Sequence, residues 1–198
     1  MADDLAVKLL VMDTGPLITL AAADTLDYLL YPAAPVYVPD AILYEATRDG
    51  AALGAAQILD WVQRNSTAVH TLSTQTFFNY VQRRESEPSW RERDLGERAA
   101  LEAIHDALSL EEHERALLMT EDDRVLRQIL VTEAELTRRM IPITTRDFLE
   151  GMEAARRIQS ADEVYRRAED AGRMASRRRV LADQHANARD AVEALLRR

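Results

Sequence analysis

Six acidic residues stand at places in the chain from which carboxylates could meet. Asp13 ends a short apolar run, residues 9–12, preceded by a single charge at Lys8. Such a run suits a strand buried on both faces. Thr14, Gly15 and Pro16 then turn the chain into a helix, with Pro16 suited to its first turn. Glu45 falls in the helix after a second strand, residues 36–38. Glu97 opens the helix before a fourth strand, residues 116–119, on the same inward face as Leu101, with Asp94 just ahead of it. Asp122 and Asp123 follow that fourth strand directly. In a parallel sheet these elements present side chains at the carboxyl ends of the strands, where open α/β sheets bind ligands. Carboxylates brought together repel one another unless a cation neutralises them. Hard ions such as Mg²⁺ or Mn²⁺ favour all-oxygen ligands. An ion of that kind makes bound water more acidic and offsets charge on a phosphodiester. The chemistry suggested is metal-dependent phosphodiester hydrolysis.

Each acid also has a structural explanation. D-L-G-E at 94–97 matches a capping box, with Asp94 capping the helix and Glu97 reaching back. Asp40 reads as the N-cap of the helix after the second strand, and Asp122 or Asp123 could cap the next helix. Weighed singly, each acid except Asp13 is better explained as structural. Taken as a set on alternating elements, the balance reverses.

The elements that must position these acids alternate along the chain. A helix over 17–30 is broken by YPAAP, and Pro39 closes the second strand. One helix runs from Asp40 to Gly50 and another spans 51–63, followed by a third strand at 68–72. Residues 75–93 are ambiguous, and QRRESEPSWRER (82–93) reads as an exposed loop. Helices over 94–110 and 124–139 bracket the fourth strand, with a fifth strand at 140–144. From Arg146 onward the pattern is helical, with a break at Gly172. Alternating strands and helices predict an α/β fold with a short parallel sheet between helices and a C-terminal helical extension. The predicted division is a domain over 1–150 and an extension over 151–198, packed on that domain or on a second subunit.

Composition narrows the function classes. Zero cysteines exclude disulfides, thiolate metal sites and a cysteine nucleophile. No apolar run reaches the roughly 18–20 residues a membrane span needs, and the acidic start MADDLAVK lacks the basic region of a signal peptide. A cytoplasmic protein without membrane contact is expected. The net charge of −9 argues against a protein that simply coats nucleic acid. Residues 151–198 carry 11 Arg against 8 acidic residues, leaving −12 on residues 1–150. The tail arginines, Arg156, Arg157, Arg166, Arg167, Arg177, Arg178 and Arg179, could grip phosphates, but a solvated helix face is the stronger expectation. Lys8 is the only lysine. Response-regulator receivers and haloacid-dehalogenase phosphatases need a lysine at a late strand end, so both are disfavoured. No GxGxxG or Walker A run is present. His70, His105 and His113 lack helical zinc spacing. Trp61, Phe77, Phe78, Tyr80 and Trp90 suit packing better than base stacking.

Four segments together resemble the PIN-domain ribonucleases, the superfamily that includes VapC-type toxins. They are VMDTGPLITL (11–20), VYVPDAILYEA (36–46), DLGERAALEAI (94–104) and LLMTEDDRVLR (117–127). The resemblance implies a PIN-like fold over the first 150 residues and a Mg²⁺- or Mn²⁺-dependent endoribonuclease. Residue by residue, it implies Asp13, Glu45, Glu97 and Asp122 as metal ligands and catalytic acids, with Thr14 and Thr120 as supporting hydroxyls. Asp123 competes with Asp122, which its spacing from Thr120 favours, and Asp94 competes with Glu97. RNA is the implied substrate. An antitoxin protein and a second copy of the chain are the expected partners. A catalytically silent PIN-like binding or assembly module is the alternative.

Overall fold

A computed structural model describes residues 6–107, 110–111, 114–122, 125, 139–177, 179 and 182–196. The first strand, β1 (Ala6–Val11), lies at the centre of the sheet, where its second half, Leu9–Val11, is apolar and buried on both faces. Leu9 and Val11 enter the larger core on one side, while Leu10 and Met12 enter a smaller core on the other. This is the alternation a pleated strand imposes. All four are essentially inaccessible to solvent. The remaining strands are β2 (Val36–Pro39), β3 (Val69–Leu72), β4 (Glu114–Met119) and β5 (Met140–Ile143). Among the described residues they form one all-parallel sheet in the order β3-β2-β1-β4-β5. Leu9 pairs with Val36 on one side and with Leu117 on the other. The chain builds outward from β1 through β2 and β3, then crosses back to β4. The strand order therefore reverses between β1 and β4, and such a switch point opens a crevice beyond the strand ends.

Helices cover both faces of the sheet. The helix α1 (Thr14–Ala22) follows β1, and α2 (Asp40–Thr47) follows β2 directly. The continuous helix expected over 17–30 is instead split. Asp24 adopts a left-handed backbone, and the Thr25 N–H and hydroxyl both donate to the Leu20 carbonyl, at 2.8 and 3.2 Å. A short 3₁₀ turn, Leu26–Leu30, follows. Asp40 is the first residue of α2, with Pro39 in the capping position. Its carboxylate accepts from the Ala41 N–H and from the N–H and hydroxyl of Thr74, so it ties α2 to the next layer.

After α3 (Ala55–Arg64) and β3 comes α4 (Gln75–Ser86), which takes in the first five residues of the stretch expected to be a loop (82–93) and leaves 87–93 non-helical. Thr74 caps it by accepting from the Phe77 N–H. Its inner face buries Tyr80 against Ala41, Leu95 and Ala99, with Phe77 and Trp90 packed beside them. The charges at 82–86 are thus the solvent face of an amphipathic helix. Trp90 lies against Tyr80, and the Arg83 guanidinium sits 4.2 Å from its ring centre. Trp61 is buried in the main core.

The next helix, α5 (Leu95–Glu102), passes into a π turn over Ala103–Ala107 before β4. The helix expected over 124–139 lies outside the described residues except at Val125 and Arg139, and His113 and Arg178 also lie outside them. Beyond β5, the chain forms α6 (Thr145–Ala154), α7 (Ala161–Asp170) and α8 (Ala182–Leu196), with breaks on both sides of α7. Phe148, Val164, Tyr165, Ala168 and Val192 share the core that contains Leu9 and Val11, so the C-terminal helices pack on the sheet domain. Most of the tail arginines are engaged on the surface. Arg166 pairs with Glu163 and Asp170, Arg177 with Glu169 and Asp162, and Arg179 with Glu150. Arg157 donates to the Leu196 carbonyl at the end of α8. No described helix is long and apolar enough to cross a membrane.

The start of α6 contains a reciprocal cap. The Thr144 hydroxyl accepts from the Asp147 N–H, and Asp147 accepts from the Thr144 N–H at 2.9 Å and its hydroxyl at 2.7 Å. Both residues are buried. Asp147→Ala leaves those donors without an acceptor and is expected to cost about 2 kcal/mol, measurable as a lower urea midpoint at unchanged slope.

Candidate active site

The crevice at the switch point holds the acids. Asp13 follows the last residues of β1 and caps α1: its Oδ1 accepts from the Gly15 N–H at 3.2 Å and lies 3.5 Å from the Thr14 hydroxyl. Its other oxygen, Oδ2, accepts from the Glu121 N–H at 3.2 Å. Asp13 is thus held by the loops leaving the two central strands, the geometry that adjacent parallel strands provide. Thr120 is fully buried, and its hydroxyl accepts from the Asp122 N–H at 3.1 Å. That hydrogen bond turns the loop after β4 so that Asp122 faces the crevice, while Thr120 itself does not line it.

Glu45 reaches the crevice from the second turn of α2. Burial pushes its carboxyl above the ordinary glutamate value. The Gly96 N–H and the charge of Arg48 offset part of that rise, while the charges of Asp13 and Asp94 add to it. Gly96 has a specific reason to be glycine. A Cβ there would lie 2.5 Å from Glu45 Oε2 and 2.8 Å from the end of Ile42. The missing side chain lets the Glu45 carboxylate reach the amino end of α5. A Cβ in Gly96→Ala overlaps both Glu45 and buried Ile42, so the variant is expected to lose about 1–3 kcal/mol of stability. It is also expected to displace Glu45 and weaken any activity of the site by at least about 10-fold. Parallel melting and activity measurements check this.

Asp13, Thr14, Glu45, Asp94, Glu97 and Asp122 line one cavity of about 250 Å³, over a floor of Met12, Ile42 and Val125. Sequence reasoning thus named all six polar residues of the wall, and the fold brings them together from four separate segments. Asp123 lies outside the described residues. The expected Asp94–Glu97 capping box does not form: Asp94 has a left-handed backbone, φ 57°, and makes no capping hydrogen bond. That backbone turn leaves both acids at the cavity wall. None of the described lining residues is basic.

Sequence reasoning missed Glu121. Its Oε1 accepts from the Thr145 hydroxyl at 2.6 Å. Burial pushes its carboxyl up, the Thr145 bond offsets part of the rise, the Asp13 charge adds to it, and Arg173 counters it. Its position directly after a buried parallel strand was a usable signal, but three consecutive acids in a loop have no periodicity that assigns each to a side.

Among the described residues, no three acidic or histidine side chains stand close enough to hold one ion as they are. The donor set, all carboxylate and hydroxyl oxygen, fits a hard divalent ion.

A family model described as a PIN domain matches residues 9–168. The match takes in every segment that lines the cavity and continues through most of α7. No curated protein and no solved structure matches the chain. PIN domains are generally nucleases and typically use divalent metals. With most of its length covered by the match and an acid-lined crevice at the sheet's switch point, the chain belongs to the PIN-domain family.

Proposed function

We propose that this protein is a metal-dependent endoribonuclease. The observation that carries the reading is the convergence of Asp13, Glu45, Glu97 and Asp122 on one cavity from four separate segments. These four would hold a single Mg²⁺ or Mn²⁺ ion or a pair of them, with Asp94 at the rim. Bound there, the ion supplies Lewis acidity toward a phosphoryl oxygen and a more acidic water. Asp13 is held by N–H groups on both oxygens, so it approaches its task with little freedom to lose. Burial raises the Glu45 carboxyl in the metal-free protein, so an ion bound there would displace its proton. The dense carboxylate wall repels phosphates on its own, so RNA binding and metal binding are coupled in this scheme.

If the protein acts as a toxin, an antitoxin covers the acidic crevice, and a helix with an inserted arginine suits its charge. A second copy of the chain is the other proposed partner. The wide spacing of the acids favours one alternative, a silent module that binds without cleaving. The test is cleavage of a mixed single-stranded RNA with Mn²⁺, Mg²⁺ or EDTA. Cleavage that requires metal supports the enzyme. A folded protein that neither cleaves RNA nor binds Mn²⁺ is the silent module.

A further inference from the structure

We propose that Glu121 is a positioning residue for Asp13, tethered to the start of α6 through Thr145. The inference rests on the metal-site reading of the crevice for its functional consequence, but the tether is visible without metal. Asp13 Oδ2 is held by the backbone N–H of Glu121. That N–H can point at Asp13 only while residue 121 stays in place, in a loop with no strand partner of its own. The Glu121 side chain supplies the anchor. Its Oε1 accepts from Thr145, a fully buried residue at the first position of α6. Its Oε2 fits into the space left by Gly15, where a Cβ would lie 2.9 Å from it and 3.4 Å from Asp13 Oδ2.

A half-buried acid beside another acid is costly. The surroundings here offset that cost. Arg173, in the segment after α7, lies within electrostatic reach and donates to Thr19 of α1 at 3.4 Å. Tyr165 of α7 backs the same nest, and burial together with the Glu121 charge raises its hydroxyl. Residues beyond 160 therefore support the crevice from behind. Outer partners of metal-ligating groups orient them, and their loss commonly weakens metal binding by about 10- to 100-fold.

The experiment compares Glu121→Ala, Glu121→Gln and Thr145→Val with the wild type in the metal-free, full-length protein. Amide hydrogen exchange is read at residues 15 and 121. In Glu121→Ala and Thr145→Val, exchange at these amides is expected to speed up about 10-fold or more while β1 and β4 stay protected. Glu121→Gln keeps an acceptor for Thr145 and is expected to remain near the wild-type rate. Mn²⁺ titration by calorimetry should show about 10-fold weaker binding in the first two variants and near-normal binding in the third. Unchanged exchange in Glu121→Ala, or Gln behaving like Ala, overturns the tether. Wild-type protein with the expected exchange pattern but no Mn²⁺ binding leaves the tether standing and removes the metal reading.

Discussion

Asp13→Asn is expected to lower metal-dependent RNA cleavage by about 10³-fold or more, while lowering the melting temperature by less than Asp13→Ala does. The two effects separate because Asp13 has two tasks. As the N-cap of α1 it accepts from the Gly15 N–H, which an Asn oxygen can still do, although the Asn amide then turns its N–H toward the Glu121 N–H and that second acceptor is lost. As a member of the acid wall it contributes charge, which Asn cannot. Removing that charge also relieves repulsion with Glu45 and Glu121, both of which are raised by it. Asp13→Ala should lose the same activity and, in addition, about 1 kcal/mol from the missing cap, seen as a melting point roughly 3 °C lower. Cleavage assays and calorimetric melts on both variants check this. An Asn variant with wild-type turnover would remove Asp13 from the centre of the chemistry.

Mn²⁺ should stabilise the wild-type protein, and the gain should grow with pH. At a free concentration 100-fold above its dissociation constant, a ligand that binds only the folded state adds about 2.7 kcal/mol. For a chain of this length that is a rise of roughly 5–10 °C in melting temperature. The pH dependence follows from Glu45 and Glu121. Burial raises both folded-state carboxyls above the ordinary value of 4.5, so the metal-free folded protein binds protons more tightly than the unfolded chain. Their contribution to stability is fully present below 4.5 and is lost as pH rises through the folded values. Metal requires the deprotonated Glu45 carboxylate, so it restores stability over the range in which burial of that group costs the metal-free protein stability. Melts with Mn²⁺ and with EDTA across that range provide the measurement. A metal-induced shift that shrinks toward neutral pH would contradict the placement of Glu45 beside the ion.

The loop around Asp94 shows how a local rule can name the right residues for the wrong reason. Its D-L-G-E spacing matches a capping box, yet Asp94 takes a left-handed backbone and its side chain does not cap the helix. The reason lies elsewhere in the chain: Glu45 needs the space beside Gly96 and takes its N–H. The stretch 82–86 is a second case. It is helical because Tyr80 and Phe77 dock on α2 and α5, a packing gain that a charged sequence does not advertise.

By itself the sequence determined the buried first strand, the alternation of strands with helices and the candidate acids. These depend on local pattern: apolar runs of strand length, turn residues, and acids at element ends. Only the tertiary structure decided that Asp94 and Glu97 share the wall with Asp13, that Thr120 holds the loop while Asp122 faces the cavity, and that Glu121 braces Asp13 from α6. Each of those outcomes turns on a hydrogen bond or a close approach between residues far apart in the chain. A linear pattern carries no distance across such a gap. The sheet's reversal between β1 and β4 supplies it.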